Sequence, residues 1–251
     1  MTRPVTPYRN DPASKKQQVA GMFDRIAGRY DFLNHLLSFG IDKYWRKVAV
    51  DCFRDGQAFA SGGDAHILDV ATGTADLALE AAKRGIARIT GVDISENMLE
   101  IGRKKIAAKN LSAQIDLQTG DSEQLQFAAN RFSGVMVAFG VRNFANLDRG
   151  LSEIHRVLKP GGKAVVLEFS RPGVFPFRQL YSFYFANILP RIGGAFSSDR
   201  EAYSYLHRSV ISFPDGRDFL DRLEKAGFTR TTAKPLTLGV CTVYTALKKL
   251  P

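Results

Sequence analysis

Asp69, Gly73, Thr74 and Asp93 stand at intervals that let them act together on one ligand. The run Ile67-Leu68-Asp69-Val70-Ala71-Thr72-Gly73-Thr74-Ala75-Asp76 passes from an apolar stretch into a helical pattern. A turn of small residues at that junction lets a ligand approach the backbone and aims helix N-terminal N–H groups at it. Asp93 follows Gly73 by twenty residues, at the end of the next apolar run, where a carboxylate can accept both hydroxyls of an adenosine ribose. The spacing predicts an adenosine-containing cofactor at the carboxyl ends of parallel strands.

Two details separate a dinucleotide from S-adenosylmethionine. The dinucleotide fingerprint asks for three glycines, and the second and third positions here are Ala75 and Ala78. Asp69 beside the turn would repel pyrophosphate but suits the ammonium of an amino acid, so S-adenosylmethionine fits better. The plainer role for Asp69 is to cap the next helix or hydrogen-bond the turn. Asp121 and Ser122 can meet the adenine edge, with Ile94 and Leu125 bracketing the ring and Ala138 facing the methionine part. Each is a weak signal alone, because Asp-Ser pairs are common turn formers.

These residues need a sheet to hold them. Between His66 and Phe169 short apolar runs alternate with helical periodicity, the pattern of βα units. Strands are expected at 67–71, 88–93, 114–119, 134–139 and 163–168, then at 228–234 and 240–247. Helices are expected at 75–84, 96–110, 148–158 and 218–226. The fold class is therefore α/β, a mostly parallel seven-stranded sheet with helices on both faces. Residues 1–53 read as an N-terminal helical cap and 66–251 as the main domain, with 54–64 as linker. An insertion at 171–213 holds 10 of the chain's 27 aromatic residues. A helix from Phe177 to Ile188 there would be apolar on more than one face, which asks for a second surface: a lid, a dimer interface or a bilayer. Plain core packing is the bland alternative.

The formal net charge of +10 points to anionic partners, but residues 51–170 carry −1 and the excess lies in the flanking segments. Two cysteines exclude a disulfide scaffold and a multi-cysteine metal site, and the four histidines show no ligand spacing. No export signal and no apolar run near the roughly 20 residues of a membrane span is present. A cytoplasmic protein without a metal is expected.

The longer motifs carry a resemblance. Met22-Phe23-Asp24-Arg25-Ile26-Ala27-Gly28-Arg29-Tyr30-Asp31, with Asn34, Leu37-Ser38-Phe39-Gly40 and Trp45-Arg46, forms one signature. Phe139-Gly140-Val141-Arg142-Asn143-Phe144, Arg156-Val157-Leu158-Lys159-Pro160-Gly161-Gly162, Glu168-Phe169-Ser170-Arg171-Pro172 and Ser212-Phe213-Pro214-Asp215-Gly216 complete the set. Together they resemble the ubiquinone/menaquinone biosynthesis C-methyltransferases over nearly the whole chain, most nearly the demethylmenaquinone methyltransferases. The sequence departs from that family at Ala75, usually glycine, and at Ala138, serine in some members. A negative φ at Ala75 would make the extra methyl tolerable.

The resemblance implies a Rossmann-like class I methyltransferase fold. It also implies transfer of a methyl group from S-adenosylmethionine to a ring carbon of a polyprenylated demethylquinol, leaving S-adenosylhomocysteine. Demethylmenaquinol is the expected substrate, with the ubiquinone-pathway quinol, or both, as the alternative. Ring attack needs the adjacent hydroxyl, with a pKa near ~10, to lose its proton. Arg142 is expected to stabilise the phenolate, Asn143 to orient the ring oxygen and Tyr30 to close the site. The bland roles are a salt bridge from Arg142 to Asp148 or Asp31, and packing for Tyr30. Contact with an anionic membrane surface is expected, on the inner face of the cytoplasmic membrane, and a homodimer is open. A small-molecule methyltransferase of another class would lack the N-terminal and Arg142-Asn143 signatures. A nucleic-acid protein would want its aromatics on an exposed strand, so no nucleic acid is expected.

Overall fold

Successive side chains leave opposite faces of a strand, and β1 (His66–Val70) accordingly feeds two cores. Ile67 enters one, and Leu68 and Val70 the other. Every residue of β1 is buried, as expected of a central parallel strand covered on both faces. The computed structural model describes residues 5–53, 65–173, 175, 179 and 200–251. Around β1 lie β2 (Arg88–Asp93), β3 (Ile115–Thr119), β4 (Phe132–Ala138), β5 (Leu158–Phe169), β6 (Phe228–Leu236) and β7 (Cys241–Lys248). Their order is β3-β2-β1-β4-β5-β7-β6. The first five strands pair in parallel, and β7 runs antiparallel to both β5 and β6. Strand order reverses at β1, with β2 on one side and β4 on the other, which opens a crevice beyond their carboxyl ends.

The described helices are α1 (Lys15–Leu37), α2 (Ile41–Asp51), α3 (Asp76–Lys83), α4 (Glu96–Ala108), α5 (Leu147–Val157), α6 (Arg200–Ser212) and α7 (Arg217–Lys225). Trp45 and Ala49 of α2, Leu77 and Ala81 of α3, and Leu99 of α4 cover the Ile67 face. Leu151 and Ile154 of α5 with Phe219 and Leu223 of α7 cover the other. A third, smaller core joins Val19, Met22 and Ile26 of α1 to Met98 of α4 and to Ala202 and Tyr205 of α6. The N-terminal segment is thus split: α2 is part of the sheet's own core, while α1 lies across α4 and α6. Local chemistry sets the helix starts. Ser95 caps α4 by accepting from Met98 N, and Asn146 caps α5 by accepting from Arg149 N.

The helix expected over 148–158 stops at Val157, because Leu158 already pairs with Phe132 at the start of β5. The ladder then shifts to Gly134 opposite Lys163, so the Lys159-Pro160-Gly161-Gly162 turn becomes a bulge inside the strand. A Cβ at Gly162 would sit 2.8 Å from the Lys159 carbonyl oxygen, so the bulge requires glycine. Residues 200–212 of the expected insertion form α6. The expected linker 54–64 and the aromatic helix from Phe177 to Ile188 lie outside the described residues.

Gly102 shows how tightly α4 approaches the cofactor turn. A Cβ there would lie 2.8 Å from Leu117 Cδ1 and 3.2 Å from Ala75 Cβ. Gly102→Ala should therefore overpack this contact and destabilise the protein by about 1–3 kcal/mol, read as a lower denaturation midpoint in urea at unchanged slope.

Candidate active site

The crevice is shaped by chain reversals where β1 and β4 end. Ala71 (φ 54°), Gly73 (φ 55°), Ala75 (φ 66°) and Phe139 (φ 58°) all adopt left-handed backbone there. For the three non-glycine residues this conformation costs on the order of 1–3 kcal/mol each. The condition under which the Ala75 methyl would be unstrained, a negative φ, is not met. The methyl is instead accommodated in strained backbone, because Gly102 leaves space opposite it. Gly140 completes the crossing: a Cβ would lie 2.7 Å from Ala71 Cβ.

Two adjoining cavities occupy the crevice, sharing Tyr30, Ala71, Gly73, Ala138 and Phe139 in their walls. The larger, about 700 Å³, runs from Asp93, Ile94 and Met98 past Gly120–Glu123 to Asn143–Ala145. Lys16, Val19, Phe23 and Tyr30 of α1 form its remaining wall. The smaller, about 370 Å³, is lined by Asp69, Thr72, Gly73, Thr74, Asp76 and Arg46. Leu125, expected to bracket a ring, is buried in the second core, and Met98 stands near Ile94 in its place.

Asp69 is fully buried at the end of β1. Its Oδ2 accepts from Thr72 Oγ1 at 2.6 Å, while Oδ1 makes no hydrogen bond of normal geometry. Burial pushes the carboxyl up to about 7, and the neighbouring Asp93 adds to the rise, against the Thr72 hydroxyl and the Ala78 N–H at the start of α3, which draw it down. Asp93 is also raised by burial, against hydrogen bonds from Ser95 N (2.9 Å) and Gly73 N (2.8 Å). Two buried carboxyls on adjacent strands, one with an orphan oxygen, ask for a cationic donor. The ammonium of an amino acid supplies one, and S-adenosylmethionine fits this donor set. Asp121 and Ser122 both line the larger cavity. Asp121 Oδ2 pairs with Lys16 Nζ at 2.5 Å, and Oδ1 accepts from Glu123 N.

Arg142 lies behind this wall. Its Nη1 donates to Glu168 Oε1 at 2.6 Å and to the Phe139 carbonyl at 2.7 Å, and its Nε has no partner. The salt-bridge partners Asp148 and Asp31 are not used: Asp148 pairs with Arg222, and Asp31 with Lys105. Burial would lower the Arg142 pKa, but Glu168 overcomes it and keeps the guanidinium charged. Burial raises the Glu168 carboxyl against the pull of Arg142. Asn143 does reach the larger cavity. Its Nδ2 donates to the Phe139 carbonyl (3.3 Å), and its Oδ1 accepts from the fully buried Tyr205 hydroxyl (3.2 Å). Tyr30 faces both cavities, and burial raises its phenol against the opposing field of Arg142.

Sequence reasoning missed Glu168, Tyr205 and Lys16 as parts of this site. Glu168 stood inside a motif and was the only signal of the three. The N-terminal signature also has a physical role. Asp31 accepts from Thr74 Oγ1 at 2.6 Å and pairs with Lys105, which in turn reaches Asp76. Arg46 pairs with Asp76 and Asp42, and Asp42 accepts from Ser38 Oγ at 2.6 Å. Burial would raise Asp42, but Ser38 and Arg46 together hold it below the usual carboxylate range. The signature is thus a polar seam stitching α1 and α2 to the Gly73-Thr74 turn.

A protein-family model described as the ubiE/COQ5 methyltransferase family matches residues 12–248. The chain is 47% identical over 93% of its length to the ubiquinone/menaquinone biosynthesis C-methyltransferase UbiE of Geotalea daltonii, covering 97% of that protein. It is 43% identical to the demethylmenaquinone methyltransferase of Bacteroides fragilis, over 97% of each chain. Its fold is similar to that of a SAM-dependent methyltransferase from Thermotoga maritima, with a TM-score of 0.62 and 19% identity over 92% of this chain and 99% of that one. The [4+2]-cyclase SpnF, at a TM-score of 0.63 and 18% identity over 96% and 99%, has a similar fold too, so the fold alone does not decide the chemistry. The Rossmann-like methyltransferase fold, the motifs and near-complete alignment with these relatives agree: the chain belongs to the ubiE/COQ5 methyltransferase family.

Proposed function

We propose that the protein transfers a methyl group from S-adenosylmethionine to a ring carbon of demethylmenaquinol, completing menaquinone synthesis. The observation that carries the cofactor is Asp69, whose orphan Oδ1 is buried beside the left-handed turn. The substrate follows from relatives named for this methylation at 42–43% identity. The relatives named for both quinone pathways, at up to 47%, support a second reading in which the ubiquinone-pathway quinol is also accepted.

The cofactor supplies an electrophilic methyl on a sulfonium. Asp69 holds its ammonium, Gly73 and Thr74 shape the turn beneath, and Ala138 faces the methionine part. Asp93 takes the ribose hydroxyls with the lone pairs that Gly73 N and Ser95 N leave. Ile94 packs on adenine, and Asp121 and Ser122 meet its edge. On the substrate side, Asn143 donates to the ring oxygen, its rotamer fixed by Tyr205 and Phe139. Tyr30 donates a hydrogen bond; its raised pKa makes it a poor base. Arg142 is no base either, but its charge favours the ionised hydroxyl from behind the wall; the hydroxyl proton passes to solvent, and as the S–CH3 bond gives way to the new C–CH3 bond the ring carbon's own proton follows, restoring aromaticity. No described helix is long and apolar enough to cross a membrane. A polyprenylated quinol partitions into the bilayer, so the protein meets this substrate at a membrane surface.

Labelled S-adenosylmethionine incubated with reduced and oxidised demethylmenaquinone tests the reaction. Label should enter the quinone only with reductant present, and transfer to neither form would refute the proposal. The same assay with the demethylated ubiquinone precursor decides the second reading.

Cofactor affinity should depend on pH through Asp69. Below about 7 the empty site holds a proton that the incoming ammonium must displace, so affinity should fall about tenfold per pH unit. Above that value it should level off. Calorimetry with S-adenosylhomocysteine between pH 5.5 and 8.5 reads this, and Asp69→Asn should flatten the profile while weakening binding.

Arg142→Ala should cost about 3–5 kcal/mol of stability, because it leaves Glu168 buried and unpaired. The double variant Arg142→Met/Glu168→Leu should regain part of that stability, the Arg142 and Phe169 N–H groups losing their acceptor, but remain about 10²–10³-fold slower than wild type. Near-normal turnover in the double variant would remove Arg142 from the mechanism.

A further inference from the structure

Two large apolar side chains stand on left-handed backbone at the protein surface. Phe39 (φ 52°), in the α1–α2 turn, is 79% exposed, and Leu238 (φ 57°), in the β6–β7 turn, is 59% exposed. Bulky residues are outliers in this region, where glycine or asparagine is the unstrained choice. Among the described residues neither side chain is buried by a neighbour. The two turns are neighbours: Trp45 Nε1 donates to Thr237 Oγ1 at 2.8 Å, pinning the β6–β7 turn against α2. Trp45 also packs edge-on against Phe169 and near Phe139, so both turns lie at the carboxyl end of the sheet, where the cavities open. Ile41 and Tyr44 of α2 are exposed beside them.

The acids near this rim, Asp42, Asp76 and Asp215, are all ion-paired, and the charges left over on α2 are positive. Lys43 and Lys47 are exposed one helical turn apart on α2, and neither has an ion-pair partner among the described residues. The acid between Phe39 and Lys43, Asp42, is buried and paired with Arg46. Apolar tips ringed by unpaired lysines complement an interface of acyl chains and anionic headgroups.

We propose that the α1–α2 turn and the β6–β7 turn form a membrane-docking rim: Phe39, Leu238, Ile41 and Tyr44 insert, and Lys43 and Lys47 contact anionic headgroups. The rim rests on the reading above only in that a polyprenylated quinol resides in the bilayer. It sets the carboxyl end of the sheet against the membrane, so that the ring can enter while the tail stays in lipid.

Sedimentation of the full chain with phosphatidylcholine vesicles, with and without one-third phosphatidylglycerol, tests the rim. The chain should bind the anionic vesicles preferentially. Phe39→Asn/Leu238→Asn should weaken that binding at least about tenfold, with the fold retained because asparagine tolerates left-handed backbone. Lys43→Gln/Lys47→Gln should weaken it by about fivefold per lysine and erase the preference for phosphatidylglycerol. Turnover of a short-tailed soluble quinol should be unchanged in all variants. Wild-type chain that binds no anionic vesicle, or an asparagine variant that binds as wild type does, overturns the proposal. So does a dimer in analytical ultracentrifugation that this variant dissociates, which would assign the rim to a second copy. Failure of the reaction itself would appear separately, as absent turnover of the soluble quinol by the wild type.

Discussion

The ion pair between Arg142 and Glu168 fixes the loop on which the substrate side of the site depends. Taking two charges out of water costs several kcal/mol per ion, and only good geometry with the remaining donors and acceptors engaged offsets it. Here Glu168 accepts from Arg142 Nη1, Arg142 N and Phe169 N. The same guanidinium nitrogen reaches the Phe139 carbonyl, which the left-handed turn at Phe139 directs toward it. That carbonyl also receives Asn143 Nδ2. One ion pair thus ties the ends of β4 and β5 together and leaves Asn143 facing the cavity. Through Tyr205 the constraint continues into α6 and the small core that seats α1.

The cofactor side is organised by the opposite condition, an excess of buried negative charge. Asp69 and Asp93 end adjacent strands; the cation lining the cavity of Asp69, Arg46, is already paired with Asp42 and Asp76, and the one lining the cavity of Asp93, Lys16, with Asp121. The empty protein relieves this by raising both carboxyl pKa values. A cationic ligand relieves it better, because it restores the charge that burial suppresses. On the far rim, Lys15 donates to the Phe144 carbonyl (2.7 Å), and burial lowers its pKa to about 8 against the pull of Glu123. Lys15 and Lys16 together tie the start of α1 to the loops after β3 and β4. The roof of the site is therefore held by charge at one end and by the Asp31–Thr74–Lys105 seam at the other.

What the sequence disclosed follows from what each signal depends on. The strands were legible because burial on both faces makes them apolar runs, and the Asp69, Gly73 and Asp93 spacing because a βα turn fixes it locally. Strand ends shifted where pairing overrode local pattern, as at Leu158. Glu168 and Tyr205 were opaque because their roles come from contacts 26 and 62 residues away along the chain. Arg142 was expected beside the substrate; no local pattern tells that the carboxylate of the next strand claims its guanidinium. Ala75 escaped for a related reason: room for its methyl is left by Gly102 on another helix.

Left-handed backbone at non-glycine residues serves two ends in this protein. At Ala71 and Phe139 it faces inward, and the surroundings hold it: Phe139 N donates to the Leu167 carbonyl at 2.7 Å, and its own carbonyl takes two donors. The strain there is offset by bonds within the protein and brings backbone to the ligand. At Phe39 the same conformation faces outward, next to Gly40, which is left-handed as well (φ 74°). One glycine suffices to reverse a chain after a helix, and a small polar residue before it would avoid both strain and exposure. Among the described residues nothing buries the Phe39 ring, which stays 79% exposed, so the strain there is not offset in the way it is at Phe139.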